Sequence, residues 1–475
     1  MNHPWEIENF LESNNRRLHV SGASAVELAT QHGTPLFVFS ESRIRRNIDR
    51  LKLVENNIGC RLKICYAAKA NSNMAILRTV KDAGSDIEVN SGGELWKALK
   101  IGFRPEQIIF NGTSKEVWEI ENAVNAGIYA IQVDSLFELS LIEETAKRLE
   151  KLANVSFRLV PEIETNTHFG LQTALLTSKF GMMPDEALFA FRQYKESGYL
   201  NLCGIHLHIG SQNPTASPYA EAFEMLFSNL VQIFNETGIR LSHINLGGGF
   251  PVNYLRDSSM EPHFPVAQRE MFTADFEPAY AIRKAWDAVK KAAELTNAND
   301  LLENLTLLLE PGRSVISDAG ICLTTVRNRK QRPVTQSPTT DNRQPTTDNW
   351  LLTDAGFNIL LSMETYKWYY HLISAERSDE PANFPYKLAG PLCDGGDVYF
   401  DIEGQNRLPD YRLLPENVQP GEVLALLNCG AYTLAQASQY NGRFLPAMVL
   451  IRENGKAELI RARDVFEDLI RNDNF

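Results

Sequence analysis

The sequence predicts a (β/α)8 TIM barrel followed by a C-terminal β-sandwich or β-barrel domain, and three observations carry that expectation. Over the first two-thirds of the 475 residues, short β-branched or apolar runs alternate with amphipathic stretches. The amphipathic stretches end on glycine, and after residue 313 the alternation stops and extended segments dominate. Alternation of this kind packs helices against a parallel sheet, and eight units in about 250 residues match the size of a closed barrel better than an open doubly wound sheet.

The strand candidates, in order, are "KICYAAK" (63–69), "DIEVN" (86–90), "IIFNG" (108–112), "YAIQVD" (129–134), "VSFRLVP" (155–161), "GIHLHIG" (204–210), "HINLGGG" (243–249) and "TLLLEPG" (306–312). Helical patterns such as "NMAILRTVKDAG", "GELWKALKIG" and "EVWEIENAVNAG" lie between them and stop at Gly84, Gly102 and Gly127, where glycine accepts a left-handed end. The barrel is expected to span 46–313. Residues 314–475 hold "SVISDAGICLTTV", "NWLLTDAG", "YKLAG", "GEVLALLN" and "PAMVLIREN", which read as a β domain. Residues 1–45, with "RRLHV" and "PLFVFS", are expected to pair into it. The polar stretch at 327–349, which contains "PTTDN" twice, reads as a flexible surface insertion.

Composition narrows the function. A formal charge of −12 and a pI near 5.4 would repel phosphate backbones, so nucleic acid is not an expected partner. No run of about 18 apolar residues suggests a membrane span, and the expected location is the cytoplasm. The six cysteines are scattered, without a CxxC pair or a metal-type spacing, and read as reduced thiols.

A barrel presents its chemistry at the carboxyl ends of its strands. There the sequence places Lys69 after the first strand, His208 in the sixth, Gly247, Gly248 and Gly249 after the seventh, and "EPGR" after the eighth. Singly, each has a plain structural reading: a lysine reaching out from the rim, a core histidine, a turn, a carboxylate paired with Arg313. His206 and His208 lack a third residue that would make a metal site. Together they meet the needs of pyridoxal 5'-phosphate: a lysine for a Schiff base, backbone N–H groups for the phosphate, a flat ring, and a carboxylate for the pyridine nitrogen.

The motifs "YAAKAN" (66–71), "SGGEL" (91–95), "SKFGM" (178–182), "HIGSQ" (208–212), "GGGFP" (247–251), "EPGRS" (310–314), "GPLCDGGD" (390–397), "GAY" (430–432) and "QYNGR" (439–443) run in order through nearly the whole chain. They resemble the fold-type III pyridoxal-phosphate amino-acid decarboxylases, which share the alanine racemase-like architecture, and are most similar to the diaminopimelate decarboxylases. The resemblance implies that Lys69 holds the cofactor as a Schiff base and that His208 stacks on its ring. It places Ser211, Gly247, Gly248, Gly249, Gly312, Arg313 and Tyr432 around the phosphate or substrate, and Glu310 at the pyridine nitrogen. It further implies a homodimer in which Cys393 and Asp394 enter the partner's site, with Cys393 returning a proton to Cα after CO2 leaves. Glu88 stands where the family usually has aspartate, and its role stays open.

Substrate choice is less determined. Family members acting on diaminopimelate carry an Arg-Pro pair after "DAG" and then a tyrosine. Aligned on "DAG", this chain has Ser362, Met363 and Tyr366, with Lys367 as a possible replacement cation. The expected substrate therefore differs from, or is broader than, meso-diaminopimelate. Ornithine, lysine and a carrier-bound amino acid are alternatives, as are an amino-acid racemase and an inactive cofactor-binding homologue.

Overall fold

The computed structural model describes residues 3–160, 163, 178–256, 260–274, 276–333 and 347–474. These fall into two compact units: one holds Arg45–Val252 and Ala274–Val315, the other Met1–Ile44, Asn253–Thr273 and Ile316–Phe475. The segment Asn253–Thr273 interrupts the helical alternation in sequence but clusters with the second unit, a departure from contiguous boundaries.

Three short N-terminal strands, β1 (Leu11–Asn14), β2 (Arg17–Val20) and β3 (Ala23–Ser24), form their own antiparallel sheet. "RRLHV" belongs to the same unit as the larger β sheet and bonds beside its strand at 372–374: Leu18 N–H donates to Ala375 O and Ser378 N–H donates to Arg16 O, each at 2.8 Å. "PLFVFS" pairs into that sheet as β4 (Leu36–Ser40). All five residues of β4 are buried, as expected for a strand covered on both faces.

The barrel strands are β5 (Arg61–Ala67), β6 (Asp86–Val89), β7 (Ile108–Phe110), β8 (Ala130–Val133), β9 (Ala153–Arg158), β10 (Leu200–His206), β11 (His243–Asn245) and β12 (Thr306–Leu309). They pair in parallel and in sequence order, and β12 closes on β5 through Thr306–Arg61 to Leu309–Ile64. The predicted barrel is thus observed. Its interior includes the small and branched side chains of Cys65, Ile109, Ala130, Cys203 and Leu308. Helices on the outside begin with local caps. Ser91 Oγ accepts from Glu94 N–H while Glu94 accepts from Asn90 N–H, and Ser135 Oγ caps Glu138 N–H.

The second unit is built on a nine-stranded sheet containing β4, β13 (Gly320–Pro333), β14 (Thr347–Thr353), β15 (Leu372–Ser374), β16 (Phe384–Ala389), β17 (Arg412–Leu414), β18 (Val423–Leu426), β19 (Ala447–Ile451) and β20 (Ala457–Arg461). Its apolar face gathers Leu36, Val38, Ile321, Leu323, Ala425 and Val449 over Phe10, Leu18 and Leu28. The 327–349 stretch needs correction. Residues 327–333 continue β13, and Arg329 to Pro333 pair with β14 from Leu351 back to Thr347. Its polar composition reflects a strand exposed from Arg327 to Pro333; residues 334–346 lie outside the described ones.

Candidate active site

Each barrel residue anticipated as functional lies just beyond a strand. Lys69 sits two residues past the apolar end of β5, in a single turn of 3-10 helix, Ala68–Ala70. Its side chain is 43% exposed, and its ammonium is 3.5 Å from Glu88 Oε1. Glu88, on β6, is fully buried. Burial raises its carboxyl pKa and nearby Glu310 adds to the rise, while Lys69 and the Asn111 hydrogen bond oppose it.

Glu310 follows β12 and is held by two carboxamides. Asn245 Nδ2 donates to Oε1 at 2.7 Å and Asn111 Nδ2 donates to Oε2 at 3.0 Å. The second Asn111 proton reaches Glu88 Oε1 at 2.7 Å. His206 Nε2 lies 3.6 Å from Glu310 Oε2. Burial and the cations Arg158, Lys69 and Lys115 hold the His206 imidazole neutral, well below its ordinary pKa. Amides that can only donate from Nδ2 keep both Glu310 oxygens as acceptors, so the carboxylate is oriented by groups that do not neutralise it. Arg313 is therefore not the partner of Glu310: its Nε and Nη2 approach Ser211 Oγ, each at 3.4 Å.

The glycine loop is cramped. Asn245 Oδ1 accepts from Gly247 N–H at 2.9 Å, and Glu310 N–H returns to Gly247 O at 2.8 Å. Gly247 and Gly249 have φ of +67° and +90°. A Cβ on Gly247 would stand 2.6 Å from Leu207 O, and one on Gly248 or Gly249 would overlap Glu310 O or Gly210 O. Only glycine fits. Among the described residues, the N–H groups of Gly249, Phe250 and Gly312 have no protein acceptor. Together with Arg313 they suit a phosphate, the anion that pyridoxal phosphate would bring. His208 Nδ1 accepts from Gly248 N–H at 3.1 Å, and burial and Lys69 push its pKa well down, so the ring is neutral.

The β unit presents a second set. In "GPLCDGGD", Cys393 is exposed, and its N–H donates to Asn441 Oδ1 at 2.6 Å. Asp394 accepts from Gly396 N–H at 2.9 Å and from Tyr440 OH at 3.3 Å, and Tyr440 stacks on Phe357. Asp397 is buried and accepts from Leu392 N–H at 2.8 Å and Phe357 N–H at 2.9 Å. Tyr432 has a left-handed backbone, φ +54°, unusual for so bulky a residue. Ser362 is buried in the short helix Leu361–Thr365, which Tyr366 caps. Lys367 is buried, with its ammonium 2.9 Å from Glu364 Oε2 and 3.5 Å from Glu403 Oε1.

The sequence reading missed Asn111, Asn245, Arg158, Asp397 and Asn441. Asn111 and Asn245 were visible as polar residues ending apolar strands in "IIFN" and "HIN". Arg158, buried with its guanidinium 4.1 Å over the Phe180 ring, ends β9 in the same way.

The family model described as "Pyridoxal-dependent decarboxylase, pyridoxal binding domain" matches residues 42–317. The chain is 35% identical over 469 residues to the diaminopimelate decarboxylase of Methanocaldococcus jannaschii, covering 98% of this chain and 96% of that one. It is 31% identical to the Bacillus subtilis enzyme, covering 96% and 95%. The crystal structure of the M. jannaschii enzyme with L-lysine superposes with a TM-score of 0.82, at 34% identity and 98% coverage of both chains. The Helicobacter pylori enzyme with L-lysine gives 0.77 at 30% identity, covering 94% of this chain and 98% of that one. This chain belongs to the fold-type III pyridoxal-phosphate-dependent decarboxylases, in the diaminopimelate decarboxylase group, and is a carboxy-lyase that uses pyridoxal phosphate.

Proposed function

We propose that the enzyme removes the α-carboxylate of a diamino acid related to diaminopimelate, with a looser hold on the distal end than an arginine would give, and that it works as a cytoplasmic homodimer with shared sites. The cofactor supplies an electron sink for the pair left at Cα when CO2 departs. Lys69 would hold it covalently. Gly249, Phe250, Gly312 and Arg313 bind its phosphate, and Ser211 steadies Arg313. Glu310, kept as an acceptor by Asn111 and Asn245, holds a proton on the ring nitrogen, which keeps that ring able to accept charge. The Cys393 thiol, from the partner subunit, returns a proton to Cα, with Asp394, Tyr366 and Tyr432 placed for the substrate's far end.

The observation that carries the substrate reading is the pairing of Lys367. Its ammonium is buried against Glu364 and Glu403, so it is already neutralised and is no substitute for the guanidinium that Ser362 replaces. A bidentate arginine–carboxylate contact is worth roughly 2 to 3 kcal/mol, or about two orders of magnitude in kcat/KM. The test compares kcat/KM for meso-diaminopimelate, lysine and ornithine in wild type and Ser362→Arg. The variant is expected to gain on diaminopimelate relative to the other two. Efficient wild-type turnover of diaminopimelate, with lysine and ornithine poor, would overturn the reading.

A further inference from the structure

The β unit encloses a cavity of about 330 Å³ whose lining includes Trp5, Tyr369, His371, Ser374, Arg377 and Arg412. None of the residues assigned to catalysis lines it. Arg412, on β17, is 3% exposed. Nη1 donates to Pro409 O at 3.0 Å and Nη2 to Tyr399 O at 2.6 Å, and the guanidinium lies 4.8 Å over the Tyr369 ring. Nε has no acceptor, and among the described residues no carboxylate pairs with this group. Burial without a counter-charge lowers its pKa.

Arg377 is matched by Glu422 at 2.9 Å and Glu380 at 3.1 Å. Arg412 alone brings a full charge into the protein against neutral carbonyls and an aromatic face, an arrangement that is unfavourable unless an anion completes it. The remaining lining holds Asp379 and Glu380, which are already paired with Arg16 and Arg377, and an apolar part suited to a small body: Trp5, stacked with His3 at 5.6 Å, and Tyr369, whose hydroxyl is 3.0 Å from His371 Nδ1. The volume lies at the small end of the range for ligand sites, about 300 to 1,000 Å³.

We propose that this cavity is a second ligand site, distinct from the barrel mouth, that takes a small organic carboxylate with its acid group on Arg412 and its apolar body against Trp5. The assignment does not depend on which amino acid is decarboxylated. Hexanoate, which has no amine to react with the cofactor, and hexanamide, its neutral counterpart, are suitable probes, titrated into full-length holoenzyme by calorimetry. Hexanoate is expected to bind at one site per chain, and hexanamide about tenfold or more weaker, because only the carboxylate gains the charge-assisted contact. Arg412→Gln should abolish the difference between the two probes, and Trp5→Ala should weaken both. Lys69→Ala should leave hexanoate binding unchanged, which separates this outcome from any failure of the catalytic assignment. The proposal is overturned if hexanoate does not bind, if the two probes bind alike to wild type, or if binding follows Lys69 and not Arg412. Should Arg412→Gln fail to fold, the comparison of the two probes in wild type and the Trp5→Ala result decide the matter.

Discussion

The barrel mouth and the turn at 390–397 present reactive groups by opposite means. At the mouth, Glu88, Asn111, Asn245 and Glu310 come from four strand ends whose spacing is set by parallel ladders, and their side chains bond one another. In the turn no ladder runs through Cys393. Its backbone is held by side chains, Asn441 on the Cys393 N–H and Asp397 on the Leu392 and Phe357 N–H groups. A site fixed by sheet register keeps its frame when one neighbour is lost, whereas a turn held by the side chains of Asn441 and Asp397 depends on each of them. Substitutions at the mouth should therefore change chemistry within an intact frame, and substitutions under the turn should change position.

The largest effect is expected at the two reactive groups. Lys69→Ala should lose covalent cofactor and reduce kcat by about three orders of magnitude or more, and Cys393→Ala should reduce kcat while keeping the cofactor's visible absorbance. Borohydride reduction of wild type should leave the cofactor on the peptide containing Lys69. If the mouth of one chain works with the turn of another, mixing the two inactive variants should restore part of the activity, because one composite site per heterodimer is intact. Demonstrated subunit exchange with no recovery would show that both regions act within one chain.

A smaller effect is expected one step back. Asn441→Ala removes the acceptor of the Cys393 N–H, a bond worth about 1 kcal/mol, and should lower kcat by about five- to tenfold with KM and the cofactor spectrum unchanged. Asp397→Asn should do more, because two backbone donors, Leu392 N–H and Phe357 N–H, each depend on a different one of its oxygens. Its amide can satisfy only one of them without turning a donor toward the other. Wild-type kcat in Asn441→Ala would mean that the Cys393 backbone needs no anchor from that side chain.

The two regions also differed in how far the sequence disclosed them. The barrel and its rim were legible because strand period, glycine stops and the residues ending each strand are local signals. Lys69, His208, Gly247 to Gly249 and Glu310 could all be placed by counting. The partners of Glu310 were not legible, since Asn111 and Asn245 lie 199 and 65 residues away from it and nothing local marks them as facing it. The turn was legible only as a motif. That Asn441 in "QYNGR" reaches back 48 residues to Cys393 is a tertiary fact, as is the burial of Lys367 against Glu364 and Glu403. At the two ends of 327–349 strand replaces the expected loop for a related reason: polar composition marks exposure, and a strand exposed along one stretch looks like a loop.

At the opposite end of β11 from the barrel mouth, a charge change should affect stability alone. His243 begins the strand that ends at Asn245, is fully buried, and packs its ring 5.2 Å from that of Tyr129. It fits because Gly204 has no Cβ to meet the ring. Burial, with a smaller contribution from Lys63, lowers its pKa from 6.5 to about 3. A depressed pKa means that the unfolded chain takes up a proton near pH 6.5 that the folded chain refuses until about pH 3. The stability His243 contributes is therefore complete above pH 6.5 and declines as pH falls toward 3. Between about pH 7.5 and about pH 5.5 the loss should be about 1.4 kcal/mol, from the unfolded-state proton uptake alone. His243→Phe keeps a ring of similar volume and removes the titration. Urea midpoints for the two proteins should converge by that amount as pH falls through this window, while their relative kcat stays constant. Parallel midpoints would show that His243 is protonated in the folded barrel; a kcat ratio that moves with pH would show that the foot of β11 is coupled to its mouth.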